Sequence, residues 1–243
     1  MPNHQILTHE THADLRVHTQ PGAALGDAVM ACITVPAEFR RLATDYPILF
    51  RQDEATGAFS ALVLMGFEPG ENLFLEGDQW DATNRPLALA VQPFLVGRSR
   101  DGAGRDGEGL GQVHIDMDHP RISTGGEGIR LFEPGGQPTP YVEQIADMLG
   151  ALDAGYRASG DYFAALTRYD LIEPFSMDVT LDSGAMHRLV GYHLVNEDKL
   201  AALEPGALAE LHAEGHLLPT YMALASLGNL ARLVAAKNRR DHG

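Results

Sequence analysis

The spacing of hydrophobic and polar residues divides the chain into a strand-rich first half and a helix-rich second half. Short apolar or alternating runs bounded by Gly, Pro or Asn are typical of strands. Phe39 and Leu42 lie three residues apart, which predicts a short helix over residues 38–43. The strand-like runs of the first half occupy residues 28–35, 48–50, 59–67, 72–75, 87–96 and 113–117.

A helix start signal opens the second half. Thr139 is a favoured N-cap residue, and Pro140 fits the first helical position. The apolar residues that follow recur at helical spacing as far as Tyr156. We therefore expect one helix there and a second, short helix capped by Ser159 or Asp161.

Strands over residues 175–181 and 187–195 precede three further helices. Asn196 is placed to cap the first, a short helix lies near residue 210, and the last covers residues 218–238. Strands followed by helices, without βαβ alternation, predict an α+β fold with a largely antiparallel sheet, packed helices and a more helical C-terminal part. The length allows one large domain or two small ones, and we predict a single domain over residues 1–243.

Residues 97–111 are rich in glycine and charge and lack hydrophobic periodicity, so we predict an exposed, mobile loop. Gly102, Gly104 and Gly107 match the spacing of a dinucleotide-binding loop. Such a loop must open a helix, and the glycines that follow oppose one. The spacing therefore does not predict a nucleotide site.

Charge restricts the choice of partner. The chain has 18 Lys and Arg against 33 Asp and Glu, a formal net charge of −15. A field of this sign repels phosphate backbones and anionic lipids, so we expect no nucleic-acid partner. No apolar stretch reaches the ~18 residues of a membrane helix, so we expect no membrane insertion. Composition sets no oligomeric state, and a homo-oligomer stays an open alternative.

Cys32 is the only cysteine and lies in an apolar run without flanking Lys or Arg. A single thiol forms no internal disulfide, and apolar surroundings predict a buried, unreactive side chain. The N-terminus has neither the basic nor the apolar region of a signal peptide. These features together predict a cytoplasmic protein.

One residue pair fits a metal-dependent enzyme. His114 and Asp116 lie two apart on a predicted strand, so both face one side, as two ligands of a non-haem iron facial triad do. His187 or His193 would supply the third ligand, and Arg188 would bind the carboxylate of 2-oxoglutarate. A polar strand face is the plainer interpretation of so short a motif. An iron(II)/2-oxoglutarate-dependent oxygenase acting on a peptide stays the alternative function.

The order of short motifs along the chain resembles the SapC family of bacterial proteins. Its strongest block is residues 64–74, Leu-Met-Gly-Phe-Glu-Pro-Gly-Glu-Asn-Leu-Phe, followed by Trp80. The chain departs from the family pattern at residues 90–94, where Ala-Val-Gln-Pro-Phe stands in place of a segment with two arginines. Within residues 12–235, the other segments that carry the resemblance are 12–17, 35–39, 45–50, 131–139, 171–174, 191–200 and 226–227.

This resemblance implies an accessory protein associated with surface-layer proteins or peptides, and it supplies no catalytic residues, metal or cofactor. We therefore predict a non-enzymatic, SapC-like accessory or binding protein for a peptide or protein partner. The candidate binding residues are Glu71, Asn72 and Trp80. Asn72 suits a turn, and Trp80 offers an apolar face and an N–H donor, although burial in a core is its plainer interpretation.

Overall fold

The computed structural model describes residues 3–98, 111–123 and 125–242, which form an α+β fold, as predicted. Its strands, in chain order, are β1 (His4–Ile6), β2 (Arg16–Val17), β3 (Ala31–Thr34), β4 (Ile48–Gln52), β5 (Phe59–Leu64), β6 (Leu75–Glu76), β7 (Gln79–Trp80), β8 (Phe94–Arg98), β9 (Gly111–Asp116), β10 (Ile122–Ser123), β11 (Ile129–Arg130), β12 (Ile172–Thr180) and β13 (Met186–Val195). Its α-helices are α1 (His9–His12), α2 (Phe39–Leu42), α3 (Leu87–Ala90), α4 (Pro140–Arg168), α5 (Glu197–Ala201), α6 (Pro205–Ala213), α7 (Leu217–Ser226) and α8 (Asn229–His242). None of the helices in this part of the chain combines the length and the apolar character that crossing a membrane requires.

The first of two compact units comprises Met1–Asp27, Gly77–Gln79 and Leu87–Ala154. It contains two three-stranded antiparallel sheets with the strand orders β1-β9-β8 and β10-β2-β11. The start of α4 contributes apolar residues at helical spacing to the core of this unit. That core consists of Leu15, Val17, Val91, Phe94, Ile115, Leu131, Phe132, Val142, Ile145 and Leu149.

A buried ion pair organises the segment before β3 in the first unit. An Arg121 guanidinium nitrogen lies 2.6 Å from Asp27 Oδ2, and Arg121 also donates to the carbonyl oxygens of His18 and Gln20, each at 2.9 Å. The Asp27 carboxylate accepts the Gly22 N–H at 2.9 Å. Arg121 is 1% exposed and Asp27 is 0% exposed. One buried cation therefore satisfies carbonyl groups of a segment that has little regular structure.

The second unit comprises Ala28–Glu76, Trp80–Pro86 and Gly155–Gly243. Its five-stranded antiparallel sheet has the order β12-β13-β4-β5-β3. Helix α8 contributes to the core of this sheet, which consists of Leu49, Leu62, Leu64, Phe67, Leu73, Val179, Leu181, Leu189 and Leu233. The prediction that residues 1–243 form one domain stays a prediction, since the compactness of two units does not show whether either folds alone.

The prediction of two helices after Thr139 is wrong, because α4 continues without interruption to Arg168. Ser159 does not cap a new helix, and its hydroxyl donates to the Gly155 carbonyl oxygen at 2.8 Å. A Cβ atom at Gly155 would lie 2.6 Å from Val35 Cγ2, so glycine permits a close approach at this point of the helix. Tertiary packing therefore outweighs the low helix propensity of glycine here.

The predicted helix over residues 218–238 is also wrong in extent, because it is divided into α7 and α8 at Gly228. Polar side chains on both sides of the break bind backbone groups at the start of β4 and in the segment before it. Ser226 Oγ accepts the Ile48 N–H at 2.8 Å, and Asn229 Nδ2 donates to the Ala43 carbonyl oxygen at 2.8 Å. These bonds stabilise two helices where periodicity alone predicts one.

The strand-like run over residues 87–96 is wrong at its start, where α3 covers Leu87–Ala90 and β8 begins only at Phe94. Two other local signals predict the structure correctly. The side chain of Asn196 accepts the Lys199 N–H at 2.8 Å and caps α5. Cys32 is buried, as predicted. Of the predicted mobile loop, residues 99–110 lie outside the described residues, while Gly97 belongs to β8 and Gly111 begins β9.

Candidate functional site

Residues 66–76, which include most of the strongest family block (residues 64–74), fold around the side chain of Glu71. Glu71 Oε2 accepts the Phe67 N–H at 2.8 Å, which closes a turn. A Cβ atom at Gly66 would lie 2.7 Å from the Glu71 carbonyl oxygen, so only glycine fits there without a shift. Asn72 is buried, and its Oδ1 accepts the Phe74 N–H at 3.0 Å. The polar residues of this block therefore fix its own backbone.

Helix α8 holds this segment from outside through two cations. Lys237 Nζ lies 2.8 Å from Glu71 Oε1, 3.7 Å from Glu68 and 3.5 Å from Asp241. Arg240 donates to the carbonyl oxygens of Asn72 and Leu75 at 3.0 and 2.6 Å. The hydrogen bond to the Glu71 carboxylate raises the pKa of Lys237, with burial acting in the opposite direction. The segment is thus bonded to α8 through one carboxylate and two backbone carbonyl groups.

Trp80 lies beside this segment and is half-buried. Its indole Nε1 donates to the Tyr46 hydroxyl at 2.7 Å, and the Tyr46 hydroxyl donates to the Asn84 carbonyl oxygen. Burial raises the pKa of Tyr46 far above its ordinary value, which keeps the hydroxyl protonated as a donor. The Arg85 guanidinium carbon lies 5.2 Å from the centroid of the Trp80 ring, within cation–π range. One part of the indole therefore stays accessible while its orientation is fixed.

A small cleft opens next to these residues in the second unit. Its volume is about 150 Å³. The Phe74 ring, which lines the cleft, packs against Tyr46 with 4.6 Å between ring centroids. We name it the α8 cleft, and it is lined by Leu73, Phe74, Asp81, Arg232, Leu233, Ala235, Ala236 and Arg239.

Charged groups surround an apolar floor in the α8 cleft. Arg232 is oriented by the Thr44 carbonyl oxygen at 3.1 Å and by Asn229 Oδ1 at 3.3 Å. The side chains of Asp81 and Arg239 make no hydrogen bond or ion pair with any described residue. The cleft therefore offers one carboxylate and one guanidinium to a ligand from outside.

The three candidate binding residues have different surroundings. The side chains of Glu71 and Asn72 accept backbone N–H groups of their own segment and stabilise its turns, whereas Trp80 is half-exposed. Sequence reasoning missed Arg232 and Arg239 in the α8 cleft. Arg239 lies near the C-terminus of α8, where the helix dipole ordinarily explains a cation, so its position in the sequence gave no signal of a cleft.

The residues of the iron alternative have other roles in the structure. The His114 ring lies directly over Gly97, where a Cβ atom would be 2.1 Å from His114 Nε2. Asp116 ends β9 and its Oδ1 accepts the Asp118 N–H at 3.1 Å. His187 belongs to the second unit and lies 3.4 Å from a carboxylate oxygen of Glu68.

The remaining groups of that alternative are also engaged. Arg188 lies 3.2 Å from Asp178, and His193 packs edge-on against Phe59 with 5.1 Å between ring centroids. Across residues 3–98, 111–123 and 125–242, no group of three or more His, Cys, Asp or Glu has the arrangement of a metal site. The oxygenase alternative is therefore not favoured.

Burial lowers the pKa of His193. Its folded-state pKa then lies below the unfolded value of ~6.5, so its contribution to stability is complete above ~6.5 and is lost as the pH falls. We expect the free energy of unfolding of His193→Phe to decrease less than that of the wild type between about pH 7 and pH 5. Urea denaturation at several pH values measures this difference, and equal pH slopes for the two proteins would contradict it.

Comparison with known proteins gives one family and no individual relative. No curated protein and no solved structure matches the chain. The model of the SapC family matches residues 7–233. Because this stretch covers most of the 243 residues, including all of the segments above, the chain belongs to the SapC family.

Proposed function

We propose that this SapC-family chain is a non-enzymatic accessory protein that binds a peptide or protein partner through its second unit. The partner surface consists of the exposed part of Trp80 and the α8 cleft with Asp81, Arg232 and Arg239. The single observation that carries this proposal is a pair of charges, Asp81 and Arg239, that line an apolar cleft and have no side-chain partner among the described residues. Glu71 and Asn72 act in this proposal by holding the surface rather than by touching the partner.

The size of the α8 cleft favours a side chain over a whole metabolite. Pockets for small ligands have volumes of roughly 300–1,000 Å³, whereas this cleft has about 150 Å³. A cavity of about 150 Å³ holds a group the size of benzene. One apolar side chain of a partner would fill it, with the charged rim binding neighbouring polar groups of the same partner.

The chemistry of the rim also suits a protein partner. Trp and Arg are enriched among the residues that dominate binding energy in protein interfaces. Two arginines form a local cationic area in a chain with a net charge of −15. We therefore expect the partner to carry an acidic group next to its apolar anchor. The proposal includes a cytoplasmic location, supported by the single cysteine, which forms no internal disulfide.

Charge reversal at the rim tests the proposal. Tagged wild type and Arg239→Glu are used to capture partners from a lysate of the native host, with quantitative mass spectrometry as the measurement. We expect a partner enriched by the wild type to fall about tenfold or more with Arg239→Glu. Arg188→Glu is the matched control, since Arg188 is exposed on β13 and faces away from the core side occupied by its neighbour Leu189.

Binding of the purified partner then isolates the contribution of single residues. We expect Asp81→Asn and Trp80→Ala to weaken binding in calorimetry, and Arg188→Glu to leave it unchanged. The side chains of Arg239 and Asp81 make no hydrogen bond or ion pair with the described residues, so replacing either one keeps the fold. Equal capture of the partner by wild type and Arg239→Glu would disprove the proposed surface.

A further inference from the structure

The first unit contains a second cleft, with a volume of about 330 Å³. It lies where the segment through α1 and β2 meets the turn after β11, and both of these segments carry the family resemblance. We name it the arginine-pair cleft. Its lining residues are His9, Ala13, Asp14, Arg16, Arg130, Phe132, Glu133 and Pro134.

Two arginines stand directly opposite each other in this cleft. Strands β2 and β11 are antiparallel, and their register pairs Arg16 with Arg130. Side chains in such positions have Cβ atoms about 4.5–5.5 Å apart, and like charges so placed destabilise the strand pairing. A bound anion would neutralise that repulsion.

Neither arginine has a carboxylate partner in the described parts of the chain. Arg16 donates to the Gly128 carbonyl oxygen at 3.0 Å, and Arg130 makes no side-chain hydrogen bond or ion pair there. The chain has 33 Asp and Glu, which makes two facing arginines without an acidic partner unusual. Guanidinium groups bind carboxylates through paired hydrogen bonds, so the pair is suited to an external carboxylate.

An aromatic wall borders the arginines. The His9 ring packs edge-on against buried Phe132, with 5.5 Å between ring centroids. Gly136 has a φ of +83°, and a Cβ atom there would lie 3.3 Å from the His9 ring. Glycine at this position therefore leaves the ring in place at the cleft.

The same cleft also presents acidic groups. Asp14 and Glu133 line it, and neither side chain forms an ion pair within residues 3–98, 111–123 or 125–242. The two arginines and the two carboxylates that line the cleft have formal charges that sum to zero. The arginines would attract a phosphate, but the carboxylates would repel it. A ligand with one negative and one positive group would be attracted both to the arginines and to the carboxylates.

We propose that the arginine-pair cleft binds a small zwitterion, a free amino acid or a short peptide with free termini. Its carboxylate lies on Arg16 and Arg130, and its ammonium group lies on Asp14 or Glu133. The volume of about 330 Å³ falls at the lower end of pockets for small ligands, roughly 300–1,000 Å³. This site uses none of the residues of the partner surface, so an experiment that disproves one of the two proposals leaves the other unaffected.

The test uses the full chain and a panel of free amino acids and dipeptides at millimolar concentration, followed by two-dimensional NMR. We expect at least one zwitterion to shift amide resonances of residues 9–16 and 130–136. Its C-terminal amide is expected to bind about tenfold more weakly or worse, because the carboxylate is lost. Arg130→Gln is expected to weaken binding to a similar degree, while Arg188→Gln, on the second unit, leaves it unchanged.

The double variant Asp14→Asn, Glu133→Gln tests the acidic half of the cleft, and we expect it to bind the zwitterion more weakly than the wild type does. Inorganic phosphate is the probe for a plain anion site. The proposal is overturned if no panel member produces shifts, or if the amide binds as tightly as the free acid. It is equally overturned if phosphate binds more tightly than every zwitterion, or if Arg130→Gln binds the zwitterion with the same affinity as the wild type.

Discussion

Replacing Arg121 with methionine is expected to lower the free energy of unfolding by about 3–5 kcal/mol, the usual effect of removing one partner of a buried ion pair. Methionine fills most of the space but leaves the Asp27 carboxylate, which is 0% exposed, without its cation at 2.6 Å. The carbonyl oxygens of His18 and Gln20 also lose their donor. Buried polar groups that lose a charged donor cost far more than a lost surface contact.

Urea denaturation followed by circular dichroism measures this change. Arg188→Met is the matched control, since the Arg188–Asp178 pair is exposed and such pairs contribute about 0–1 kcal/mol. In an Asp27→Asn background, Arg121→Met is expected to lower the free energy of unfolding by a smaller amount, because no carboxylate is then left buried. A loss below about 1 kcal/mol for Arg121→Met alone would show that the pair is not a main determinant of stability.

Local signals predicted the longer helices and strands, although they missed the short helix α3 at Leu87–Ala90. The Asn196 cap predicted α5 because capping depends on side chains within one helical turn. The Thr139–Pro140 signal predicted where α4 begins, although the Thr139 hydroxyl donates to the Arg130 carbonyl oxygen and does not cap the helix. The signals failed where distant residues decide the structure. At Gly155 the deciding contact is with Val35, and at the α7–α8 break it is with backbone groups near Ile48.

The candidate site was predictable only in part. The family block drew attention to Glu71 and Trp80, but the bond that defines the role of Glu71 joins it to Lys237, 166 residues away. No spacing rule connects two such positions. Arg239 was visible only as a cation near a helix end, which the helix dipole explains equally well.

The arginine-pair cleft was also not predictable from the sequence. Arg16 lies in a two-residue strand and Arg130 in another, and strands this short have no hydrophobic alternation. Their facing arrangement depends on the register of β2 with β11, which closes a loop of more than a hundred residues. Sequence predicts elements well when their cause is local, and it does not predict sites that long-range register assembles.

Replacing Lys237 with methionine is expected to lower the free energy of unfolding by about 3 kcal/mol, the low end for a buried pair. Lys237 is 7% exposed and lies 2.8 Å from Glu71, whose carboxylate also holds the turn at Phe67. Lys199→Met is the control, because the Lys199–Asp170 pair is exposed and is expected to contribute less than about 1 kcal/mol. Glu71→Gln in the same background tests whether the cost comes from an unpaired carboxylate.

The pH dependence separates this ion pair from simple loss of packing. The bond to Glu71 raises the pKa of Lys237 above its unfolded value. The contribution of charged Lys237 is therefore complete below pH ~10.4 and is lost as the pH rises through the folded-state pKa. We expect the difference in unfolding free energy between wild type and Lys237→Met to stay constant from about pH 7 to pH 9 and to shrink above about pH 10.5. A difference that persists undiminished at the highest pH would assign the loss to the packing of the lysine stem instead of to its charge.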